Sequence, residues 1–244
     1  MTPRTNQQLR HDLARLTLGR MGFDGSKVEQ GSHEWEIMRF GVITASRARD
    51  LIAKGRTAGS VGEARRTYMM ELIAEVATGQ QKRSGGKATT WGHEQESSCV
   101  GLYAFDCGIE IESIPFIYGD DHMRYGASPD GLIGDLSGIE AKNPFNTAVY
   151  LKFVFDEEVK PEYLEQVQFS MFVTGRETWV FANHDPDVRN YIFHSVTIER
   201  DEAKMKTFAD AIGQFTYDMD RNLEKLGYTF GDQWSHLIDN RKAA

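Results

Sequence analysis

Apolar residues at Leu9, Leu13, Leu16 and Met21, spaced by four, three and five positions, predict an N-terminal helix ending near Gly22. A polar connection, "GFDGSKVEQGS", follows it. The stretch "GVITASRARDLIAK" then predicts a short strand or turn leading into a helix, with Thr44 or Ser46 near its cap and Gly55 closing it. Residues 55–62 and 79–87 have the composition of loops. Between them a helix is predicted over 63–78, and a further one over about 90–107.

The period then shortens to two. "GIEIESIPFIYGD" alternates as a strand, "GLIGD" and "GIEAKNPF" are short strand-like pieces around a turn bearing Gly and Asp, and "ETWVFANHDP" and "YIFHSVTIER" predict two more strands. Between the strand carrying Glu140 and the strand carrying Trp179, a helix opens at Pro161 and closes at Gly175. From Asp201 to Leu226 a long helix presents one apolar stripe through Met205, Phe208, Ile212, Phe215, Met219, Leu223 and Leu226. Strands in a central block with helices on both sides in sequence predict a mixed α/β or α+β fold, not a doubly wound one. A chain of 244 residues that is 40% hydrophobic can bury one sizeable core. We therefore expect a single domain, with a helical part over 1–90 and a core over 91–244.

Charge changes this picture, because its distribution is uneven. The net charge is −8, yet residues 1–90 hold 15 Lys and Arg against 9 Asp and Glu, while residues 91–244 hold 13 against 27. A basic part can neutralise phosphates while an acidic part collects carboxylates around a metal; an uneven solvated surface gives the same counts. The N-terminus lacks a signal-peptide apolar run and no window approaches a membrane span, so the expected protein is soluble, cytoplasmic and without a membrane partner. Cys99 and Cys107 lack Cys-x-x-Cys spacing and read as buried structural thiols. Two partial motifs are excluded. "HEQES" lacks the second His of a zinc helix, and "SGGKAT" places Ala88 where a phosphate loop needs Ser or Thr for its metal, so no ATP-driven motor is predicted.

The candidate chemistry lies in "SPDGLIGDLSGIEAKNP". Asp130 follows Ser-Pro in a turn that enters one strand. Glu140 and Lys142 are two apart on the next, so their side chains leave one face about 7 Å apart, and a strand spacing of about 5 Å lets Asp130 reach Glu140. Adjacent carboxylates repel unless a cation lies between them. Hard oxygen ligands with positions left for water and phosphate suit Mg²⁺ or Mn²⁺. A nearby ammonium would orient or activate the attacking water, giving a metal-dependent phosphodiesterase. The tripeptide Glu-x-Lys alone says little, since it recurs at Glu158 and at Glu202. A turn Asp beside a cross-strand ion pair is the plain structural alternative.

The surrounding blocks add to this reading. "VEQGSHEW", "RFGVITAS", "LIAEVATG", "WGHEQE", "SPDG", "EAKNPF", "QVQFSMFVT", "FANHDP" and "IERDE" resemble, in order and spacing, the phage lambda-type exonuclease family, also called YqaJ-type viral recombinases, within the PD-(D/E)xK nucleases. The resemblance implies a restriction-endonuclease-like core and a 5′→3′ exonuclease that degrades one strand of duplex DNA from its end. The 3′ tail would pass to a phage single-strand annealing protein. It further implies Mg²⁺, with Mn²⁺ as an alternative and two ions per site, and a ring-shaped homotrimer of phage or prophage origin in a bacterial host. By position, Asp130 and Glu140 fall on the metal-binding carboxylates, the Ala141 carbonyl on a third ligand, Lys142 on the catalytic lysine and Glu96 on an acidic residue of a neighbouring helix. Asp120, Tyr163 and Gln166 match residues lining the active site. Arg39, Ser46 and Ser128 match a pocket for the 5′-phosphate, and Arg56 is a candidate DNA contact. An endonuclease of the same fold, or a DNA-end-binding scaffold without activity, remains an alternative; the basic part disfavours a small phosphorylated metabolite as substrate.

Overall fold

The structure is a computed structural model that describes residues 3–57, 59–81, 87–190 and 192–242; the side chains of 87–96 and 238–242 lie outside the described residues. Helix α1 (Asn6–Met21) starts at a capping box, in which the Thr5 side chain accepts from Gln8 N–H while the Gln8 side chain accepts from Thr5 N–H, and stops at Gly22 with φ 75°. After α2 (His33–Met38), strand β1 (Ile43–Thr44) runs into a 3₁₀ turn at Ala45–Arg47 and the four-residue α3 (Ala48–Leu51). Neither Thr44 nor Ser46 supplies a capping bond, and the helix stops at Leu51, short of the expected Gly55, because the chain turns back to form the Gly62–Ala53 hydrogen bond. Helices α4 (Glu63–Thr78) and α5 (Lys87–Cys107) follow.

The predicted strand over "GIEIESIPFIYGD" reduces to β2 (Ile117–Tyr118) plus one bridge between Glu112 and Leu132. Pro115 has no N–H to offer a ladder there. Strands β3 (Tyr125–Ala127), β4 (Gly131–Ile133) and β5 (Ser137–Lys142) come next, then α6 (Thr147–Asp156) and α7 (Pro161–Thr174), then β6 (Thr178–His184), β7 (Phe193–Glu199), α8 (Glu202–Lys225) and α9 (Asp232–Lys242). Neither α6 nor α9 was expected from periodicity. The run "AVYLKFVF" in α6 is apolar nearly throughout, so no helical period stands out, although Asn146 caps it by accepting from Ala148 N–H at 2.9 Å.

Two sheets result. One has the order β1-β3-β2, with β1 parallel to β3; the other has the order β4-β5-β6-β7, with β5 and β6 parallel and the outer pairs antiparallel. The parallel pair requires a crossover, which α6 and α7 provide. Gly138 lies where an added Cβ would meet the Trp179 ring at 2.5 Å, so a glycine is what lets β5 pass beneath that indole. Helix α7 packs on β3, α3 and α8, and α5 packs on the other side of β5 and β6. The stripe of α8 buries Met205, Phe208, Ile212, Phe215, Met219 and Leu223, each stabilising by about 1.5–3 kcal/mol, whereas Leu226 beyond the last turn is exposed. One apolar cluster extends from Leu9 to Trp234, and Cys99 belongs to a smaller one with Ile139, Ala141, Val180 and Ala182. Cys107, expected inside, is exposed at the last turn of α5. Among the described residues no helix is long and apolar enough to cross a membrane.

Candidate active site

Strand alternation puts Glu140 and Lys142 on the α7 side of β5 and turns Ala141 toward Cys99 and Ala182. Lys142 Nζ donates to Glu140 Oε1, and Gln166 Nε2, from α7, donates to the same oxygen at 2.6 Å. Glu140 is 1% exposed, and its Oε2 is buried without a hydrogen-bond partner among the described residues. Asp130, at the entry to β4, reaches across the hairpin, where its Oδ2 accepts from Ala141 N–H at 2.6 Å. Burial, then the neighbouring Asp130 charge, pushes the Glu140 carboxyl up to about 7 against the pull of Lys142 and Gln166. Burial alone would lower Lys142, but Glu140 and Asp130 outweigh it and hold the ammonium above its ordinary range. Tyr163, one helical turn from Gln166, stacks on Phe181 at 5.7 Å, with Lys142 Nζ 5.4 Å from its ring centre.

A buried carboxylate oxygen with no donor is costly unless a cation or donor arrives to satisfy it. Glu140 Oε2 beside Asp130 is therefore a hard-oxygen cradle that fits a divalent ion such as Mg²⁺, with water and phosphate completing the shell. Among the described residues no group of three or more His, Cys, Asp and Glu forms a metal cluster, and the carboxylates described at this point are Asp130 and Glu140. Glu96 lies on α5, which packs against β5, but its side chain is outside the described residues.

The second group of predicted residues gathers at the start of this turn. Arg39, at the end of α2, lies 4.0 Å over the Trp35 ring, and Trp35 Nε1 donates to Ser128 Oγ at 3.1 Å and to the Pro115 carbonyl at 2.9 Å. The parallel register Thr44↔Gly126 carries Ser46 toward the same end of the pair as Ser128. Gln30 Nε2 donates to the Pro129 carbonyl at 2.9 Å. Gln30 and Trp35 thus each hold one residue of the Ser-Pro-Asp turn. Neither was singled out in the sequence, although both lie in the block "VEQGSHEW"; no short motif marks a residue that acts on a turn about a hundred positions away.

Two expected residues are not brought in. Asp120 lies in the β2–β3 turn, accepting from Arg124 N–H at 3.3 Å, at the end of β3 opposite Asp130. Asp120 thus lies by the start of β3, whereas Asp130 follows its end, and no contact between Asp120 and the Glu140 cluster is seen among the described residues. It lines instead a groove between α8 and the end of α1. Arg56 is exposed in the loop closed by the Gly55–Ser60 hydrogen bond and has no contact with the cluster among the described residues.

Comparison with known proteins gives this geometry a setting. The YqaJ-like viral recombinase domain matches residues 34–177, which span Arg39, both carboxylates, Lys142 and Gln166. A stretch of 78 residues is 42% identical to the ExoD protein of Escherichia coli, covering 32% of this chain and 90% of ExoD. The structure is similar to that of the alkaline exonuclease LHK-Exo from Laribacter hongkongensis, with a TM-score of 0.72 and 31% identity over 80% of this chain and 96% of that one. A phage-related exonuclease from Haemophilus somnus shares the fold, with a TM-score of 0.60 at 13% identity over 76% of this chain and 96% of that one. The matched fold is that of the PD-(D/E)xK nucleases, and the chain belongs to the family of YqaJ-like viral recombinase domains.

Proposed function

We propose that this nuclease is a Mg²⁺-dependent 5′→3′ exonuclease that trims one strand of linear duplex DNA to mononucleotides and leaves a 3′ single-stranded tail for annealing recombination. The observation that carries it is the buried, unpartnered Glu140 Oε2 beside Asp130, with the Lys142 ammonium on the same strand face. LHK-Exo, at 32% identity, is known in complex with dAMP, a ligand of the product class expected here. One or two Mg²⁺ ions, or Mn²⁺ in their place, would be held by Asp130, Glu140 and the Ala141 carbonyl. A bound ion supplies charge neutralisation at the scissile phosphate and lowers the pKa of water.

The protein's own groups do the rest. Gln166 and Lys142 fix one Glu140 oxygen, so the other points in a defined direction. Ala141 N–H fixes Asp130 in the same way. The Lys142 ammonium, kept charged by its two carboxylate neighbours, orients the attacking water and stabilises charge that develops on phosphate oxygens. Arg39, levelled by Trp35, presents a planar fork to a terminal 5′-phosphate, with the Ser46 and Ser128 hydroxyls as further donors. A phage-type annealing protein and a homotrimeric ring around the duplex, acting in the bacterial cytoplasm, complete the proposal.

The test is a linear duplex labelled on one strand, with 5′-phosphate or 5′-hydroxyl ends, beside a closed circular duplex, each with Mg²⁺. Mononucleotide release from the phosphorylated linear DNA alone is expected. Nicking of the circle would replace the reading with an endonuclease, and binding without cleavage would replace it with an inactive end-binding scaffold.

A further inference from the structure

Helix α2 is six residues long and ends in a corner that reverses the chain at Gly41, whose φ is 72°. A helix C-terminus leaves its last carbonyls without intrahelical donors. At a surface, water meets that need, but here Ile37, Met38, Phe40 and Gly41 are buried and only Arg39 of the five is not. Each carbonyl from 37 to 40 has a protein donor instead. Trp234 Nε1 donates to the Ile37 carbonyl at 2.8 Å, the Tyr118 hydroxyl to Met38 at 2.6 Å, Val42 N–H to Arg39 at 3.1 Å and Gln233 Nε2 to Phe40 at 3.0 Å. The Gly41 N–H in turn donates to Glu75 Oε2 at 2.8 Å.

Two of these donors come from α9, and the matched family domain ends at residue 177, well before that helix. Gln233 and Trp234 are each 1% exposed. Both ends of the Gln233 amide are engaged, because its Oε1 accepts from Gly231 N–H at 2.8 Å, and the Trp234 ring is set edge-on against Phe230 at 5.5 Å. A Cβ at position 41 would lie 2.7 Å from Val76 and 3.1 Å from Gln233 Nε2, so glycine is what lets α9 come this close. A helix needed only for stability can pack through apolar side chains alone. This one aims two buried donors at carbonyls on either side of Arg39. Glu75 adds its charge to the same corner: burial pushes its carboxyl up, while the Gly41 N–H, Gln81 and the nearby Arg39 charge oppose that rise. Arg39 itself lies over Trp35, whose indole also holds Ser128, so a shift at the end of α2 moves the fork against the serine.

We infer that Gln233 and Trp234 are positioning residues for the 5′-phosphate fork: by fixing the Phe40 and Ile37 carbonyls they set where the Arg39 guanidinium stands, a role that rests on the proposed place of Arg39 at a phosphorylated end. A guanidinium grips phosphate through two parallel N–H groups, and that geometry tolerates little displacement. Loosening either carbonyl should therefore reduce the preference for phosphorylated ends, while the carboxylates at β4 and β5 stay in place.

The test measures binding of a duplex with 5′-phosphate or 5′-hydroxyl ends to the full chain in chelator. It compares the native protein with Trp234→Phe, Gln233→Met and Arg39→Ala, and with each α9 variant combined with Arg39→Ala. Trp234→Phe keeps a ring and removes the donor; Gln233→Met keeps the length of the side chain and removes both polar atoms. Thermal melting shows that each variant is folded, and Gln233→Met decides alone if Trp234→Phe is not. The native chain should bind the phosphorylated end at least about tenfold more tightly. Each α9 variant should cut that preference to about threefold or less at unchanged hydroxyl-end affinity, and neither should lower it further once Arg39 is replaced. A brace for the fold alone would lower the melting temperature and leave the preference intact. A preference that the folded α9 variants keep, a further loss in the Arg39→Ala background, or no preference in the native chain overturns the positioning role. Preference lost as expected in a chain that cuts no DNA upholds the role and removes the exonuclease reading. Trimming of linear duplex by a chain whose α9 variants keep the preference does the reverse.

Discussion

Glu140→Gln separates the cost of the site from its use. In the metal-free protein, burial and Asp130 raise this carboxyl from 4.5 to about 7. Between those values the folded chain holds a proton that the unfolded chain has released, so stability falls as pH rises from about 4.5 through 7 and is level above. At about 1.36 kcal/mol per unit, the ionised carboxylate destabilises the metal-free fold at pH 8 by about 3 kcal/mol. A neutral Gln of the same shape removes that cost. The figure is an upper limit, because the buried amide must find partners of its own. Thermal unfolding in chelator at pH 8 should show the variant melting above the native chain, by about 6–12 °C at the limit for a domain of this size. At pH 5 the native chain carries its own proton and the gap should shrink to below about 1 kcal/mol. Saturating Mg²⁺ should raise the native melting temperature and leave the variant's nearly unchanged. A variant equal to or less stable than the native chain at pH 8 in chelator would refute the claim that this carboxylate is held at an electrostatic cost that a cation relieves.

Other outcomes are expected from the same geometry. Lys142→Ala should lower kcat by about 10²–10⁴ while calorimetry finds Mg²⁺ affinity little changed; lost metal binding would instead make the lysine a support for the carboxylates. Arg39→Ala should lower the rate on 5′-phosphorylated ends by about 10- to 100-fold and leave hydroxyl ends alone, so an unchanged ratio of the two rates removes the phosphate fork. Gln30→Ala should reduce kcat without unfolding the chain, because the Ser-Pro-Asp turn loses the Pro129 bond; equal activity would show that Trp35 holds the turn alone. Phe208→Ala, with its ring edge-on to Phe169 at 5.1 Å in the core, should cost about 3–5 kcal/mol in urea unfolding, and a loss below about 1 kcal/mol would mean that the α8 stripe does not anchor the fold.

Local rules were enough where the physics is local. The caps and periods of α1, α4, α7 and α8 follow from Gly22, Pro161, Gly175 and the spacing of apolar residues, since each helix must place one stripe inward whatever it packs on. Alternation along β5 likewise put Glu140 and Lys142 on one face before any neighbour was known. Family resemblance extended this to Tyr163 and Gln166, which nothing in their own helix distinguishes from surface residues. What the sequence left open depends on distant partners. Which oxygen of Glu140 stays free is decided by Gln166 and Lys142 together, 26 and 2 positions away. Asp120 and Asp130 look alike as turn acids near short strands, and only the β2–β3 pairing sends them to opposite ends. Cys107 shares a helix with buried Cys99 but lies past the point where α5 meets the sheet. Helix α6, apolar nearly throughout, was invisible to periodicity because one of its faces borders a cleft and is not packed against protein; tertiary structure decided where that face went, and with it the cleft beside Lys142.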